Sequence, residues 1–235
     1  MLKQIKIIFN TLLDKRCFIC GIDRVDELIC GRCHNFLIET DNSNNCPICK
    51  HPIFDDDAND INCKHCSDLG PIYFDSFEFI HIYDKLSKNL MGKWKFENNF
   101  LVNHLFFNLI KDKLDKNIPV TVVPDFLFNK IKRGNSSLYY LLKLLNKEGF
   151  KTIKDIYKKK FSFIKQRLKT KKDRFETISK SYIIEKNNIG KYGDEIYLID
   201  DLYTTGNTAN YGAKLLKNAG FTKVYVITFF RAIME

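Results

Sequence analysis

The most informative segment of the chain reads Tyr197-Leu198-Ile199-Asp200-Asp201-Leu202-Tyr203-Thr204-Thr205-Gly206-Asn207-Thr208. An apolar strand leads into two carboxylates, a threonine-rich turn and then residues that suit a helix. The backbone N–H groups and hydroxyls of such a turn attract a phosphate, as does the positive end of the following helix. Two adjacent acids also suit two neighbouring sugar hydroxyls, because carboxylates accept hydrogen bonds. A helix cap alone would need only one Asp, Ser or Thr. The segment therefore predicts a site for a phosphorylated ribose, formed by Asp200, Asp201, Thr204, Thr205, Gly206, Asn207 and Thr208.

The length and composition of the chain allow one ordinary domain plus a smaller one. The chain has 235 residues, of which 45% are apolar, so a sizeable core can form without disulfides. It contains no run of about 18 apolar residues, so we predict no membrane span. The basic and apolar start at residues 1–9 stops at Asn10, and no small-residue cleavage site follows. We therefore expect a cytoplasmic protein.

The cysteines form four C-x-x-C pairs, all within the first 66 residues. Two such pairs complete a tetrahedral four-thiolate site, so four pairs make two sites with no cysteine left over. Repeated pairs without an export signal favour structural zinc over a disulfide framework or a redox site. We therefore predict two structural Zn2+ ions, bound by Cys17, Cys20, Cys30, Cys33, Cys46, Cys49, Cys63 and Cys66.

Two pairings of these C-x-x-C units are open. Sequential pairing joins the first unit with the second and the third with the fourth, and the gaps of nine and thirteen residues favour it because they suit zinc ribbons or knuckles. A cross-brace would join the first unit with the third and the second with the fourth. His34, His51 and His65 lie near the cysteines, but eight thiolates leave no vacant position, so we expect them to be exposed.

After residue 70 the hydrophobic pattern alternates between strands and helices, which favours a parallel sheet. Strands are predicted at 76–83, 119–124, 181–184, 195–199 and 223–230, and helices at 84–96, 98–114, 135–147 and 207–219. Open α/β sheets bind ligands at the carboxyl ends of their strands, which is where the threonine-rich turn would lie. We predict a zinc-binding module at 1–70 and an α/β domain at 71–235.

A basic segment at 151–191 carries the net charge of the chain. It contains fourteen Lys or Arg and four Asp or Glu, while the formal charge of the whole chain is +10. Cationic residues with interspersed aromatic rings suit single-stranded DNA. The candidate rings are those of Tyr157, Phe161, Phe163 and Phe175. The alternatives are a solvated loop with no partner, and aromatic rings that belong to the core.

The threonine-rich segment resembles the 5-phosphoribosyl-1-pyrophosphate (PRPP) motif of type I phosphoribosyltransferases. With the cysteine pairs, it makes most of the chain similar to the ComF family of competence-associated proteins. The resemblance also includes Lys93-Trp94-Lys95-Phe96, Val122-Val123-Pro124, Arg133-Gly134, Gln166 and Arg174. It implies a type I phosphoribosyltransferase-like parallel sheet flanked by helices, behind a small N-terminal zinc-binding module.

The same resemblance implies a role in DNA uptake during natural transformation. It implies that the protein handles single-stranded DNA, keeps a site for Mg2+-bound PRPP, and has a DNA translocase as a partner. The alternative is an active phosphoribosyltransferase that moves ribose-5-phosphate from PRPP to an unidentified amine or base, with Asp200 and Asp201 as its catalytic residues. The sequence departs from the family at Asn135-Ser136-Ser137, where the family usually reads Phe-Asn-Gln. This departure favours ligand binding over transfer.

Overall fold

The architecture is seen in a computed structural model that describes residues 16–22, 28–38, 45–53, 63–97, 100–123, 137–159, 182–184 and 190–233. The described helices are α1 (Gly31–Ile38), α2 (Lys64–Leu69), α3 (Lys85–Glu97), α4 (Phe100–Lys111), α5 (Ser137–Lys147) and α6 (Asn207–Ala219), with a short 3-10 helix at Gly190–Tyr192. The described strands are β1 (Ser76–Ile82), β2 (Val120–Val122), β3 (Tyr157–Lys159), β4 (Tyr182–Ile184), β5 (Glu195–Tyr203) and β6 (Lys223–Arg231). None of the described helices has the length and apolar character to span a bilayer.

Four of these strands form one parallel sheet in the order β1-β6-β5-β2. Strands β3 and β4 form a separate antiparallel pair. Helix α6 connects β5 to β6 and contacts both strands, and α5 contacts β2 and β5. The parallel sheet flanked by helices, with cysteine clusters before it, confirms the predicted fold class. All four parallel strands end at the same edge of the sheet, so the loops after them converge there.

An aromatic cluster fixes α3 and α4 against β6. The Trp94 ring meets Phe106 edge-on at 4.6 Å and Phe229 at 5.2 Å, and the Phe106 and Phe229 rings stack at 4.5 Å. The indole N–H of Trp94 donates to the Asn103 side chain at 2.7 Å, so the buried polar atom is satisfied. This packing holds the end of α3 close to the sheet edge where β6 finishes.

The cysteine-bearing segment joins the same buried core as the sheet. The side chain of Asn210, in the first turn of α6, accepts a hydrogen bond from Tyr73 N at 2.8 Å and donates to Pro71 O at 2.9 Å. The linker after the cysteines is therefore tied to the helix that follows the threonine-rich turn. The division of the chain at residue 70 stays a prediction.

One sequence-based expectation about a strand needs correction. The pattern predicts that β5 ends at Ile199, but the strand continues to Tyr203 because β6 pairs with it as far as Arg231. Pairing with a long partner strand outweighs the local pattern here. Along β1, His81 is buried and Ile82 is exposed.

Helix α3 begins with a reciprocal cap. Asp84 Oδ1 accepts a hydrogen bond from Ser87 N at 2.8 Å, and the Ser87 hydroxyl accepts one from Asp84 N at 2.6 Å. Burial alone would raise the pKa of Asp84, but hydrogen bonds from Ser87 and the nearby His81 ring lower it below its ordinary value. The ionised carboxylate is therefore the form that stabilises this helix start.

We expect Asp84→Ala to lower the free energy of unfolding by about 1 kcal/mol at neutral pH, because the cap is lost. Since the pKa of Asp84 is lower in the folded state, its contribution is complete above the unfolded-state pKa and disappears as the pH falls through the folded-state value. Urea denaturation at several pH values checks this. Asp84→Asn is the control, because asparagine caps a helix but does not titrate. A gap between Asp84→Ala and the unchanged protein that stays constant at acidic pH would contradict the ionised-cap account.

Candidate functional site

The two predicted acids lie in the last part of β5, at the carboxyl edge of the sheet. Asp200 pairs with Thr228 of β6 and is only 7% exposed. Its Oδ1 accepts a hydrogen bond from Asp201 N at 2.8 Å, which fixes the orientation of the carboxylate. Asp201 is less deeply buried. One acid is therefore held inside the edge, and its neighbour is closer to solvent.

Asp201 forms an ion pair with Lys95, in the last turn of α3. The two side chains are only 18% and 15% exposed, so solvent screens the pair less than it would a surface pair. Lys93, two residues earlier, instead lies over the Phe18 ring at 5.0 Å. The sequence marked 93–96 as a family-like segment but did not place Lys95 in the site. Only the fold brings α3 and β5 together at this point.

The threonine-rich loop leaves β5 and enters α6 through a left-handed glycine. Gly206 has φ +80° and occupies the N-cap position, where the lack of a side chain leaves the first-turn N–H groups without a side-chain cap. Thr204, Thr205 and Asn207 are exposed, and the Asn207 amide donates to the Thr205 hydroxyl at 3.0 Å. The structure thus brings the predicted hydroxyls and the helix start together next to the acid pair. This arrangement can receive a phosphate.

Gly206 is also confined by its surroundings. A Cβ at this position would collide with the Tyr203 side chain and lie 3.0 Å from Leu69 Cδ1. The Tyr203 ring packs against the Phe77 ring, with the two ring centroids 4.2 Å apart, so it has little room to move. Only glycine satisfies both the backbone conformation and the available space here.

The eight cysteines form two clusters, each with four sulfur atoms within 4.8 Å of one another. The first contains Cys17, Cys20, Cys30 and Cys33, and the second contains Cys46, Cys49, Cys63 and Cys66. This grouping confirms sequential pairing and contradicts the cross-brace. The Cys20–Cys30 and Cys46–Cys66 sulfurs lie 3.9 and 3.8 Å apart. A tetrahedral zinc site with Zn–S bonds of about 2.3 Å needs sulfurs about 3.8 Å apart. Both clusters could therefore hold a metal ion, and their donors suit zinc.

In each cluster the backbone favours the thiolate form of one cysteine, while burial and the neighbouring cysteines raise the pKa of Cys33, Cys63 and Cys66. Burial alone would raise the pKa of Cys17, but backbone N–H groups, mainly that of Cys20, lower it to about 6. In the second cluster burial is again opposed, and the N–H groups of Cys49 and Ile48 lower the pKa of Cys46 to about 7. Thiolates are the metal-binding form of cysteine. A site with four thiolates has no open coordination position, so its chemistry is structural.

Two of the three neighbouring histidines are less exposed than expected. The rings of His51 and His65 lie 4.1 Å apart, and both residues are half-buried beside the second cluster. His34 is exposed, as predicted. The expectation failed for His51 and His65 because the cluster packs against the sheet edge, which covers the residues next to it.

The predicted DNA-binding segment lies largely outside the described residues. Lys165–Arg174, Phe161, Phe163 and Phe175 all belong to the part that the structure does not describe. Tyr157 is described, and its hydroxyl donates to Gly212 O on α6 at 3.2 Å. Burial of this hydroxyl, with the nearby Tyr139 and Asp200, raises the pKa of Tyr157 well above its ordinary value. This packing favours a core role over base stacking for Tyr157.

The geometry defines an α/β protein with a threonine-rich loop at the carboxyl edge of its parallel sheet and with two four-cysteine clusters. No family model matches the chain. Two relatives do: the protein named Competence protein ComFC of Streptococcus pneumoniae (strain ATCC BAA-255 / R6) is 24% identical over 208 residues, which cover 88% of this chain and 89% of the relative. The protein of the same name from Bacillus subtilis (strain 168) is also 24% identical, over 205 residues, which cover 83% and 80% of the two chains. The chain is therefore similar to two proteins named competence proteins over most of its own length and most of theirs.

We expect two zinc ions per chain, measured by native mass spectrometry and elemental analysis. Cys17→Ser/Cys30→Ser should leave one ion, because both residues belong to the same cluster and the second cluster remains intact. Cys46→Ser/Cys66→Ser should also leave one. A cross-brace would put each pair of substitutions in two different sites, so loss of both ions from either variant would contradict the sequential grouping.

We expect Gly206→Ala to destabilise the protein more than Gly149→Ala, as measured by urea denaturation. Both glycines have positive φ, but a Cβ at Gly149 (φ +89°) would have no neighbour within 4 Å. Gly149→Ala should therefore lower the free energy of unfolding only by the strain of a left-handed alanine, about 1–2 kcal/mol. Any further decrease in Gly206→Ala measures the collision with Tyr203. Equal losses would show that Tyr203 moves aside freely.

Proposed function

We propose that this chain acts in natural transformation, where it handles single-stranded DNA and binds Mg2+-PRPP at the acid pair and threonine-rich loop. The observation that carries this proposal is the order of groups at the carboxyl end of β5. Two acids, a left-handed glycine and an uncapped helix start follow one another within residues 200–207. Two relatives named competence proteins support the cellular role.

The loop supplies donors that suit the 5′-phosphate of PRPP. Exposed hydroxyls of Thr204 and Thr205 can donate to phosphate oxygens, and the first N–H groups of α6 point out from its positive end. Asp200 and Asp201 precede this loop in the same strand. Their carboxylates can accept hydrogen bonds from the two ribose hydroxyls.

The acid pair also has the chemistry to hold Mg2+ next to PRPP. Magnesium prefers carboxylate and phosphate oxygens and usually retains several waters, so it suits a partly exposed acid such as Asp201. When bound, the ion would neutralise charge on the pyrophosphate. Lys95 already neutralises Asp201, so it would exchange this partner for the ligand or share it.

Single-stranded DNA presents the same kind of phosphate in a repeated form. The charge for that partner comes from the segment 151–191, which accounts for the net +10 of the chain. Binding through such a segment is sequence-independent and sensitive to salt. We therefore propose two adjoining functions, with PRPP at the sheet edge and DNA on the basic segment.

We expect the zinc-loaded protein to bind fluorescent single-stranded oligonucleotides with an affinity that falls steeply as salt is raised. It should also bind Mg2+-PRPP in calorimetry. The double substitution Asp200→Asn/Asp201→Asn should lower the affinity for Mg2+-PRPP by a factor of about ten or more, because hydrogen bonds to charged groups are each worth about 1.5–3 kcal/mol. DNA binding by this variant should be unchanged.

The matched control is Glu195→Gln, which removes a carboxylate at the other end of β5, about 20 Å from Asp201 at about 3.3 Å per residue. It should leave both affinities unchanged. Absence of DNA binding at low salt would overturn the DNA-handling proposal, and absence of PRPP binding would overturn the assignment of the loop. Release of pyrophosphate from PRPP on addition of an amine or base would instead establish the transferase alternative.

A further inference from the structure

Arg231, the last residue of β6, joins the second cysteine cluster to the threonine-rich loop. Its guanidinium is fully buried. Nε donates to Cys49 O at 3.0 Å, while Nη1 donates to Thr204 O at 3.1 Å and lies 3.5 Å from Tyr203 O. A single side chain therefore connects a predicted metal ligand with the first residue of the loop.

The charge of Arg231 needs a counter-charge, because buried cations are paired in stable proteins. Within the described part of the chain, no carboxylate forms an ion pair with Arg231. Its Nη2 lies 3.4 Å from His51 Nδ1, beside the cluster of Cys46, Cys49, Cys63 and Cys66. A zinc ion with four thiolates carries a charge of about −2. A metal-loaded cluster would therefore place negative charge beside this guanidinium.

Two neighbours place the same cluster directly below the loop. Leu69, three residues after Cys66, lies 3.0 Å from the position of a Cβ on Gly206. Tyr203 has its ring under the Arg231 guanidinium at 4.8 Å, and its buried hydroxyl has no hydrogen-bond partner in the described structure.

We infer that Arg231 is a positioning residue that ties the metal-loaded Cys46–Cys66 cluster to the Thr204–Thr208 loop, so that metal in this cluster sets the loop's conformation and its affinity for a phosphate ligand. The ligand part of this inference rests on the proposed function. The conformational part does not, because it is carried by the hydrogen bonds of Arg231 to Cys49 O and Thr204 O.

The first cluster provides an internal comparison. Its described contacts lead to α3 and β1: Phe18 lies under Lys93, and the Phe36 ring lies 5.1 Å from His81. These contacts are on different elements from those that hold Thr204. Loss of metal from the first cluster should therefore disturb the loop much less than loss from the second.

Hydrogen–deuterium exchange of the peptide that contains residues 203–208 tests the conformational part. In Arg231→Gln and in Cys46→Ser/Cys66→Ser, exchange of this peptide should be about tenfold faster than in the unchanged protein, because loss of one hydrogen bond from a charged donor shifts a local opening equilibrium by about this factor. Arg231→Lys keeps the charge but loses the fork of donors, so its exchange should be intermediate. Cys17→Ser/Cys33→Ser is the matched control and should exchange at the normal rate.

Binding of ribose 5-phosphate, measured by calorimetry, tests the ligand part. Arg231→Lys should lower this affinity about tenfold while both metal ions remain bound, because the loop loses a hydrogen bond from a charged donor. Unchanged exchange of residues 203–208 in Arg231→Lys with both metals bound would overturn the inference, even if Arg231→Gln does not fold. Equal acceleration by loss of either cluster would also overturn it. If the unchanged protein does not bind ribose 5-phosphate, the proposed function fails, and the role of Arg231 is decided by exchange alone.

Discussion

The parallel pairing of β5 with β6 is the constraint on which the site depends. It extends from Glu195 and Lys223 to Tyr203 and Arg231, so both strands finish at the same edge. This pairing places the acid pair at the edge of the sheet and the start of the threonine-rich loop beside the end of β6. The aromatic packing of Trp94 on Phe229 then brings α3, and with it Lys95, to the same edge. Residues that are far apart in sequence meet at this edge because β5 and β6 have the same length and end together.

The charges at this edge are arranged in pairs that a low-dielectric environment requires. Asp201 is neutralised by Lys95, and the Asp200 carboxylate accepts a backbone N–H. Arg231 is held by backbone carbonyls and faces the second cysteine cluster. A phosphate ligand would thus enter an edge that already contains cations and oriented donors, which lowers the reorganisation that binding demands. The second cysteine cluster is therefore part of the structure of this edge.

The sequence predicted most of the fold, the grouping of the cysteines and the position of the acid pair at the carboxyl edge of the sheet. Helix α6 begins and ends where the pattern predicted, because its apolar spacing and terminal Gly220 are local signals. Sequential pairing of the cysteines was favoured by short gaps, which are also local. Lys95 and Arg231 could not be assigned from sequence, since a lysine in a helix and an arginine after an apolar strand have many ordinary roles. Their roles follow from tertiary contacts, as does the extension of β5 to Tyr203. An arginine directly after the apolar end of a buried strand is the signal that would have pointed to Arg231.

The contacts of Arg231 with Cys49, Tyr203 and Thr204 are made to main-chain oxygens. Main-chain atoms are the same for every amino acid, so this junction does not depend on which side chain stands at position 204. Substitution at position 204 would therefore leave the hydrogen bonds of Arg231 in place, whereas substitution of Arg231 itself would remove them. The joint beneath the loop depends on one side chain, and the exposed hydroxyl groups above it can change independently of that joint.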